Sequence, residues 1–206
     1  MVLKILQNFL LALSTILLSS MKFLEDFNHP KNIRFKSFEK ALTIADQRDL
    51  KTIVETGVAR GKIKFFFIKK FNWKDGMSTL LFSEYAKYKN GHLHACDIEK
   101  QNVDNAKYFC KKNKKFCSFY VDDSINFLKK FKNKIDFLYL DSLDGQMPGA
   151  NEHQLAEFKA AEKYLSENCI ILLDDKGSKT KLSSNYMQKN GLKIINETDN
   201  QLLFSY

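Results

Sequence analysis

Ile53-Val54-Glu55-Thr56-Gly57-Val58-Ala59-Arg60-Gly61 is the stretch on which the fold turns. A β-branched run ends on an acid and breaks into glycines, which is how a strand stops and lets backbone approach a ligand. Working outward, the first apolar run is Thr52–Glu55, and others stand at His92–Asp97, Phe116–Val121, Ile135–Asp141 and Ile170–Asp174. Helical stretches separate them at Ser78–Tyr88, Gln101–Lys112, Ser124–Phe131 and Glu152–Leu165. Strands alternating with helices call for a parallel sheet covered on both faces.

Glu55, Asp97, Asp141 and Asp174 each end a strand, and the remaining strand runs into Asp122-Asp123-Ser124. In open α/β sheets the ligand crevice lies outside the carboxyl ends of the strands, so these acids belong over a site. The chain closes with a helix near Lys179–Gln188, a strand Leu192–Asn196, a turn at Asp199-Asn200 and a strand Gln201–Phe204. Two strands so close in sequence pair antiparallel. Upstream, Asn28-His29-Pro30-Lys31-Asn32 breaks the chain. Ser37 is the expected N-cap of a helix Phe38–Asp49, with Phe38, Leu42 and Ala45 on one face. The expected organisation is a helical extension over 1–50 followed by one α/β domain over 51–206; 206 residues suit a single core.

The glycine stretch does not enter its helix directly. Lys62 to Asp75 intervenes before Gly76-Met77-Ser78-Thr79, whose backbone N–H groups and hydroxyls open a helix and suit a carboxylate. Asp97 lies 21 positions after Gly76 (97 − 76) and 40 after Gly57 (97 − 57). The usual separation between a glycine fingerprint and its ribose-binding acid is about 20, so Gly76–Thr79 reads as the resumption of a split loop.

Glu55-Thr56-Gly57-x-x-Arg60, an aromatic-rich insertion with Asn72-Trp73, then Asp75-Gly76-x-Ser78-Thr79, resembles methyltransferase domain family 24 of the class I S-adenosylmethionine-dependent methyltransferases. Leu140-Asp141-Ser142-Leu143-Asp144, His153-Gln154-Leu155-x-Glu157 and Leu172-Leu173-Asp174-Asp175 agree with it, so the likeness runs from Thr52 to Asp175. The resemblance implies a Rossmann-like, doubly wound, mostly parallel seven-stranded sheet with an antiparallel C-terminal hairpin, preceded here by N-terminal helices. It implies S-adenosylmethionine as cofactor. Glu55, Thr56, Gly57 and Gly61 would line its methionine end, and Ser78 and Thr79 would lie near its carboxylate. Asp97 would accept the ribose hydroxyls beside Ile98, Asp123 and Ser124 would border the adenine, and Asp141 would close the cofactor site. Methyl transfer to a small-molecule or glycan acceptor, through oxygen, is the expected reaction. The alternatives are a catalytically silent module of the same fold and another nucleotide-binding enzyme.

Asp141, Asp174 and Asp175 end two strands that should be neighbours. Their mutual repulsion must be relieved by a proton, by cations or by a metal, and hard oxygen ligands suit Mg²⁺ or Mn²⁺. Cation-dependent O-methyltransferases hold a metal at such strand ends, so these three residues are candidate ligands, with backbone or lysines such as Lys176 as the alternative. His153 and Asp141 are the candidate catalytic residues, His153 because an imidazole can take an acceptor proton near neutral pH. His92, His94 and Cys96 share one strand face but have no fourth zinc ligand at fitting spacing.

The formal net charge of +9 is carried almost entirely by lysine, densest at Lys111, Lys112, Lys114 and Lys115. With arginine only at Arg34, Arg48 and Arg60, base-specific nucleic-acid recognition is not expected. Cys96, Cys110, Cys117 and Cys169 do not form a disulfide pattern, and a reduced cytoplasmic protein is the simpler reading. Ile5 to Met21 carries no charge. Residues 1–27 stay open between a packed apolar helix, a peripheral membrane contact and a cleaved signal, and a homodimer is also left open.

Overall fold

The computed structural model describes residues 21–64 and 68–206. The expected helix at the extreme N-terminus therefore lies mostly outside the described residues. Its last part, Lys22–Phe27, forms a short 3₁₀ turn. Strands β1 (Thr52–Thr56), β4 (His92–Asp97), β5 (Cys117–Val121), β6 (Ile135–Leu140) and β7 (Leu165–Leu173) run parallel. With β8 (Lys193–Glu197) and β9 (Leu202–Ser205) they form a seven-stranded sheet in the order β5-β4-β1-β6-β7-β9-β8. The closing strands are antiparallel, and β9 inserts between β7 and β8. The chain reverses direction of travel across the sheet at β1, between β4 and β6, which is where such folds open a ligand crevice.

Helices α1 (Phe35–Gln47) and α2 (Ser78–Tyr88) bury Phe38, Leu42, Leu81, Phe82 and Tyr85 in one core layer. Helices α4 (Ser124–Lys130), α5 (Ala150–Ala161) and α6 (Lys181–Lys189) bury Phe127, Leu128, Phe158, Ala161 and Met187 in the other. Helix α3 (Lys100–Phe109) connects β4 to β5 and adds Ala106 to the first layer. Packing runs without a break across the junction of the helical extension and the α/β domain. Met21, Leu24, Phe27, Phe35 and Ala45 share a core layer with Ile53 of β1 and Leu172 of β7.

Helix α1 starts before the expected Ser37 cap because Ser37 is buried inside the helix. Its hydroxyl faces the Arg34 carbonyl and the Gln201 side-chain oxygen, so it ties the helix to β9 rather than opening it. Strand β7 also starts earlier than its apolar run, since Ser166, Glu167 and Asn168 sit at its solvent-facing end. The insertion from Lys62 to Asp75 is not a plain loop. It pairs β2 (Lys62–Lys64) antiparallel with β3 (Ile68–Lys70) and ends in a 3₁₀ turn, Trp73–Asp75.

Candidate functional site

Beyond β1 the chain turns over its neighbour. Gly57 has φ +78°, and a Cβ there would lie 2.1 Å from the Asp141 carbonyl oxygen, so only glycine lets the loop cross the end of β6. The Gly57 N–H donates to the Cys96 carbonyl (2.9 Å) and the Asp141 N–H to that of Thr56 (2.9 Å), which locks three strand ends together. The resumed motif grips the loop from the far side. Thr79 Oγ1 accepts from the Ala59 N–H at 2.8 Å, and Ser78 Oγ donates to Glu55 Oε1 at 2.6 Å. Thr79 is therefore a clasp on the glycine loop; it and Glu55 are buried behind the wall of the cleft. Burial pushes the Glu55 carboxyl up to about 8, against the pull of Ser78 and Thr79. Its Oε2 and the Thr56 hydroxyl are buried without a hydrogen-bond partner among the described residues.

The wall encloses a cleft of about 540 Å³ along the carboxyl edge of the sheet. Gly57, Ser78, Asp97, Ile98, Asp141 and Asp175 line it, which brings together the ends of four strands and the start of α2. Gly61 stands outside, where a Cβ would strike the Phe109 ring. Asp97 is held in place by the Val58 N–H (3.2 Å), the Glu99 N–H (2.8 Å) and Asn102 Nδ2 (3.1 Å). Ile98 beside it is 66% exposed, an apolar surface offered to the cleft.

A smaller recess of about 130 Å³ continues from the cleft past Asp97 and Ile98 to Asp123, Ser124 and His153. Asp123 caps α4 by accepting from the Asn126 N–H at 2.9 Å. His153 Nε2 lies 3.0 Å from Ser124 Oγ and 3.1 Å from Ser142 Oγ. The histidine thus joins the residues expected around adenine, not the acids at the other end. His92 and His94 contact Ser118 and Tyr120 across the sheet at 2.8 and 3.0 Å, and burial pushes His94 down to about 4. They pack as neutral rings. The four cysteines are free, and burial pushes Cys96, Cys117 and Cys169 up to about 12, where they are no nucleophiles.

At the opposite end Asp141, Asp174 and Asp175 bring oxygens within 4.8 Å of one another. Two cations divide the cluster. Arg34 donates to both oxygens of the fully buried Asp174, from Nε at 2.7 Å and Nη2 at 2.6 Å, and reaches Asp175 at 3.3 Å. Lys179 Nζ lies 2.9 Å from Asp141 and 3.3 Å from Asp175. Tyr139 donates to Asp141, Gln201 to Asp174, and the Gly145 N–H to Asp175. Every carboxylate oxygen is already engaged by a cation or a neutral donor, so the donor set does not fit a divalent metal, which the guanidinium and ammonium charges would repel. The neutralising lysine is Lys179, not Lys176, which pairs with Glu197. Burial would raise Asp174, but the hydrogen bonds and charge of Arg34 bring it below the usual carboxylate range. Asp141 moves the other way, raised well above that range by burial and by the Asp174 charge.

Arg34, Tyr139, Lys179 and Gln201 are site residues that the linear reading missed. Only Arg34 left a trace, as one of three arginines in a lysine-rich chain. The other three are ordinary members of an apolar strand, a helix approach and a terminal strand, and only folding aims them at the acids.

Residues 73–176 match a methyltransferase domain family. No curated protein matches the sequence. Among solved structures, an SAH-bound methyltransferase from Podospora anserina superposes with a TM-score of 0.61 at 14% identity, covering 92% of this chain and 87% of its own. A Streptococcus mutans protein in complex with SAH gives 0.58 at 12% identity, covering 81% and 96%. The fibrillarin pre-rRNA processing protein of Methanococcus jannaschii gives 0.52 at 14% identity, covering 76% and 66%. At these identities the likeness is one of fold, the Rossmann-like class I arrangement with its antiparallel closing strands.

Proposed function

The chain belongs to the methyltransferase domain family, and on that premise we propose that it methylates an oxygen nucleophile of a small-molecule or glycan acceptor from S-adenosylmethionine. The observation that carries this reading is the Gly57 turn, which only glycine can make, at a cleft lined by Ser78 and Asp97. The open N-terminus of α2 at Ser78 suits the amino-acid carboxylate. Asp97 then takes the ribose hydroxyls, Ile98 packs on the base, and Asp123, Ser124 and His153 border it in the recess.

When bound, this cofactor supplies an electrophilic methyl group on sulfur. The chain positions the acceptor oxygen at the acidic end of the cleft and takes its proton. We assign that proton to Asp141. Its side chain lines the cleft at 27% exposure. Lys179, at 2.9 Å, steadies the charge on Asp141 before the proton arrives. His153 in the recess serves the cofactor side.

Calorimetric titration with S-adenosylhomocysteine, repeated with NAD and with Mg²⁺ added, tests the reading. Micromolar binding of S-adenosylhomocysteine, indifferent to Mg²⁺, is the expected result. Binding of NAD instead, or of neither, would overturn it.

A further inference from the structure

A second groove lies apart from the cleft, on the side of the molecule where the insertion hairpin meets α3. It is also about 540 Å³ and opens between Phe27, Phe71, Trp73, Tyr108 and Phe109. Two of its rings are strongly exposed, Phe71 at 48% and Tyr108 at 45%. Lysines stand among them. Lys69 Nζ and Lys111 Nζ lie 4.8 and 5.0 Å from the centre of the Tyr108 ring, Lys112 lines the same wall, and Lys70 borders the adjoining surface. Asp26 and Glu84 are the acids of this groove. Glu84 is drawn towards Lys87 at 4.0 Å. The densest lysine cluster of the sequence, Lys111 to Lys115, thus lies beside solvent-facing aromatic rings rather than on a plain solvated helix end.

We propose that this groove docks on an anionic phospholipid surface, with Phe71 and Tyr108 entering the headgroup region and Lys69, Lys70, Lys111 and Lys112 meeting lipid phosphates and carboxylates. Aromatic rings with snorkelling lysines are the side chains that suit that boundary. The alternative polyanion, single-stranded nucleic acid, fits less well. Its bases need open ring faces, whereas Tyr108 is covered by two ammonium groups and Phe71 meets Trp73 edge-on, at 61° and 5.2 Å. No arginine lines the groove.

Flotation of the full chain with vesicles of phosphatidylcholine, with and without phosphatidylserine, tests the proposal. Binding should require phosphatidylserine and weaken with salt. Each lysine near the surface contributes about five-fold, so Lys69→Gln/Lys111→Gln/Lys112→Gln should lose about 100-fold. Phe71→Ser/Tyr108→Ser should weaken binding without removing the preference for phosphatidylserine, and thermal melts confirm that both variants fold. Equal binding to neutral and anionic vesicles would overturn the proposal, as would unchanged affinity of a lysine variant that melts like the parent. Preferential capture of a uridine oligonucleotide, lost in the same variants while vesicles are ignored, would assign the groove to nucleic acid instead.

Discussion

The two ends of the main cleft are built on different principles. At the Gly57–Asp97 end the chain presents backbone and a few short side chains, held by strand-end hydrogen bonds and by the Thr79 clasp. At the Asp141–Asp174–Asp175 end it presents a charged lattice, in which Arg34 and Lys179 reach in from outside the family-matched segment to hold three acids. One end depends on the close approach of backbone to backbone, the other on the balance of buried charge. The first tolerates no added atom, and the second tolerates no missing charge.

That contrast can be broken most sharply at Gly57. Gly57→Ala should reduce S-adenosylhomocysteine affinity by at least about 100-fold in calorimetry, because a displacement of about 1 Å in a site costs that much and the Cβ has no room. Binding within a few-fold of the parent would show that the loop does not touch the cofactor. At the charged end the loss should be one of stability. Arg34→Met leaves Asp174 buried and uncompensated, which should cost about 3–5 kcal/mol in denaturant unfolding. Because Asp174 is held below its ordinary range, this contribution is present above the unfolded carboxyl value of about 3.9 and is lost as pH falls through the lower folded value. The gap between parent and variant should therefore close in acid, and a gap that persisted there would remove charge from the explanation.

Asp97→Ala should weaken S-adenosylhomocysteine binding by about 10–100-fold, the worth of hydrogen bonds to a charged group. Intact affinity would place the ribose elsewhere. A subtler test lies in Glu55, whose folded value of about 8 stands above the ordinary 4.5. A raised folded value contributes stability that is complete below the ordinary value and is lost as pH rises towards the folded one. The melting temperature of the ligand-free protein should therefore decline between about pH 4.5 and 8. Glu55→Gln should flatten that decline, and a variant with the same slope would put the titration on another group. The smallest effect expected is none: chelation of divalent ions should leave methyl transfer unchanged, and a lost rate restored by Mg²⁺ would mean that Arg34 or Lys179 yields to a metal.

Much of this was legible in the chain. The succession of strands, their parallel run, the antiparallel close and the positions of Gly57, Asp97, Asp123, Asp141 and Asp174 at strand ends follow from local periodicity and turn chemistry. Helix α1 was legible as a helix but not as part of the site. It begins at Phe35, and Ser37 inside it bonds to Gln201, a contact across more than 160 positions that no local rule contains. The counter-charges of the acid cluster were hidden for a related reason. Three converging acids are visible in a sequence, but their counter-charges are not when they arrive from Arg34 and Lys179. His153 was visible as a titratable group beside a strand end, yet the direction of its ring towards Ser124 is a property of how α5 packs.

By itself, then, the sequence determined the alternation of elements, the acids at the carboxyl edge and the glycine at the first turn. Each depends on residues within a few positions of one another, where φ preference and hydrophobic period act directly. Tertiary structure alone decided which charges face each other, which side chains stand behind the cleft wall, and that a lysine-rich turn meets exposed aromatic rings. Those are contacts between distant segments, and their energies depend on separation and dielectric surroundings that exist only once the chain is folded.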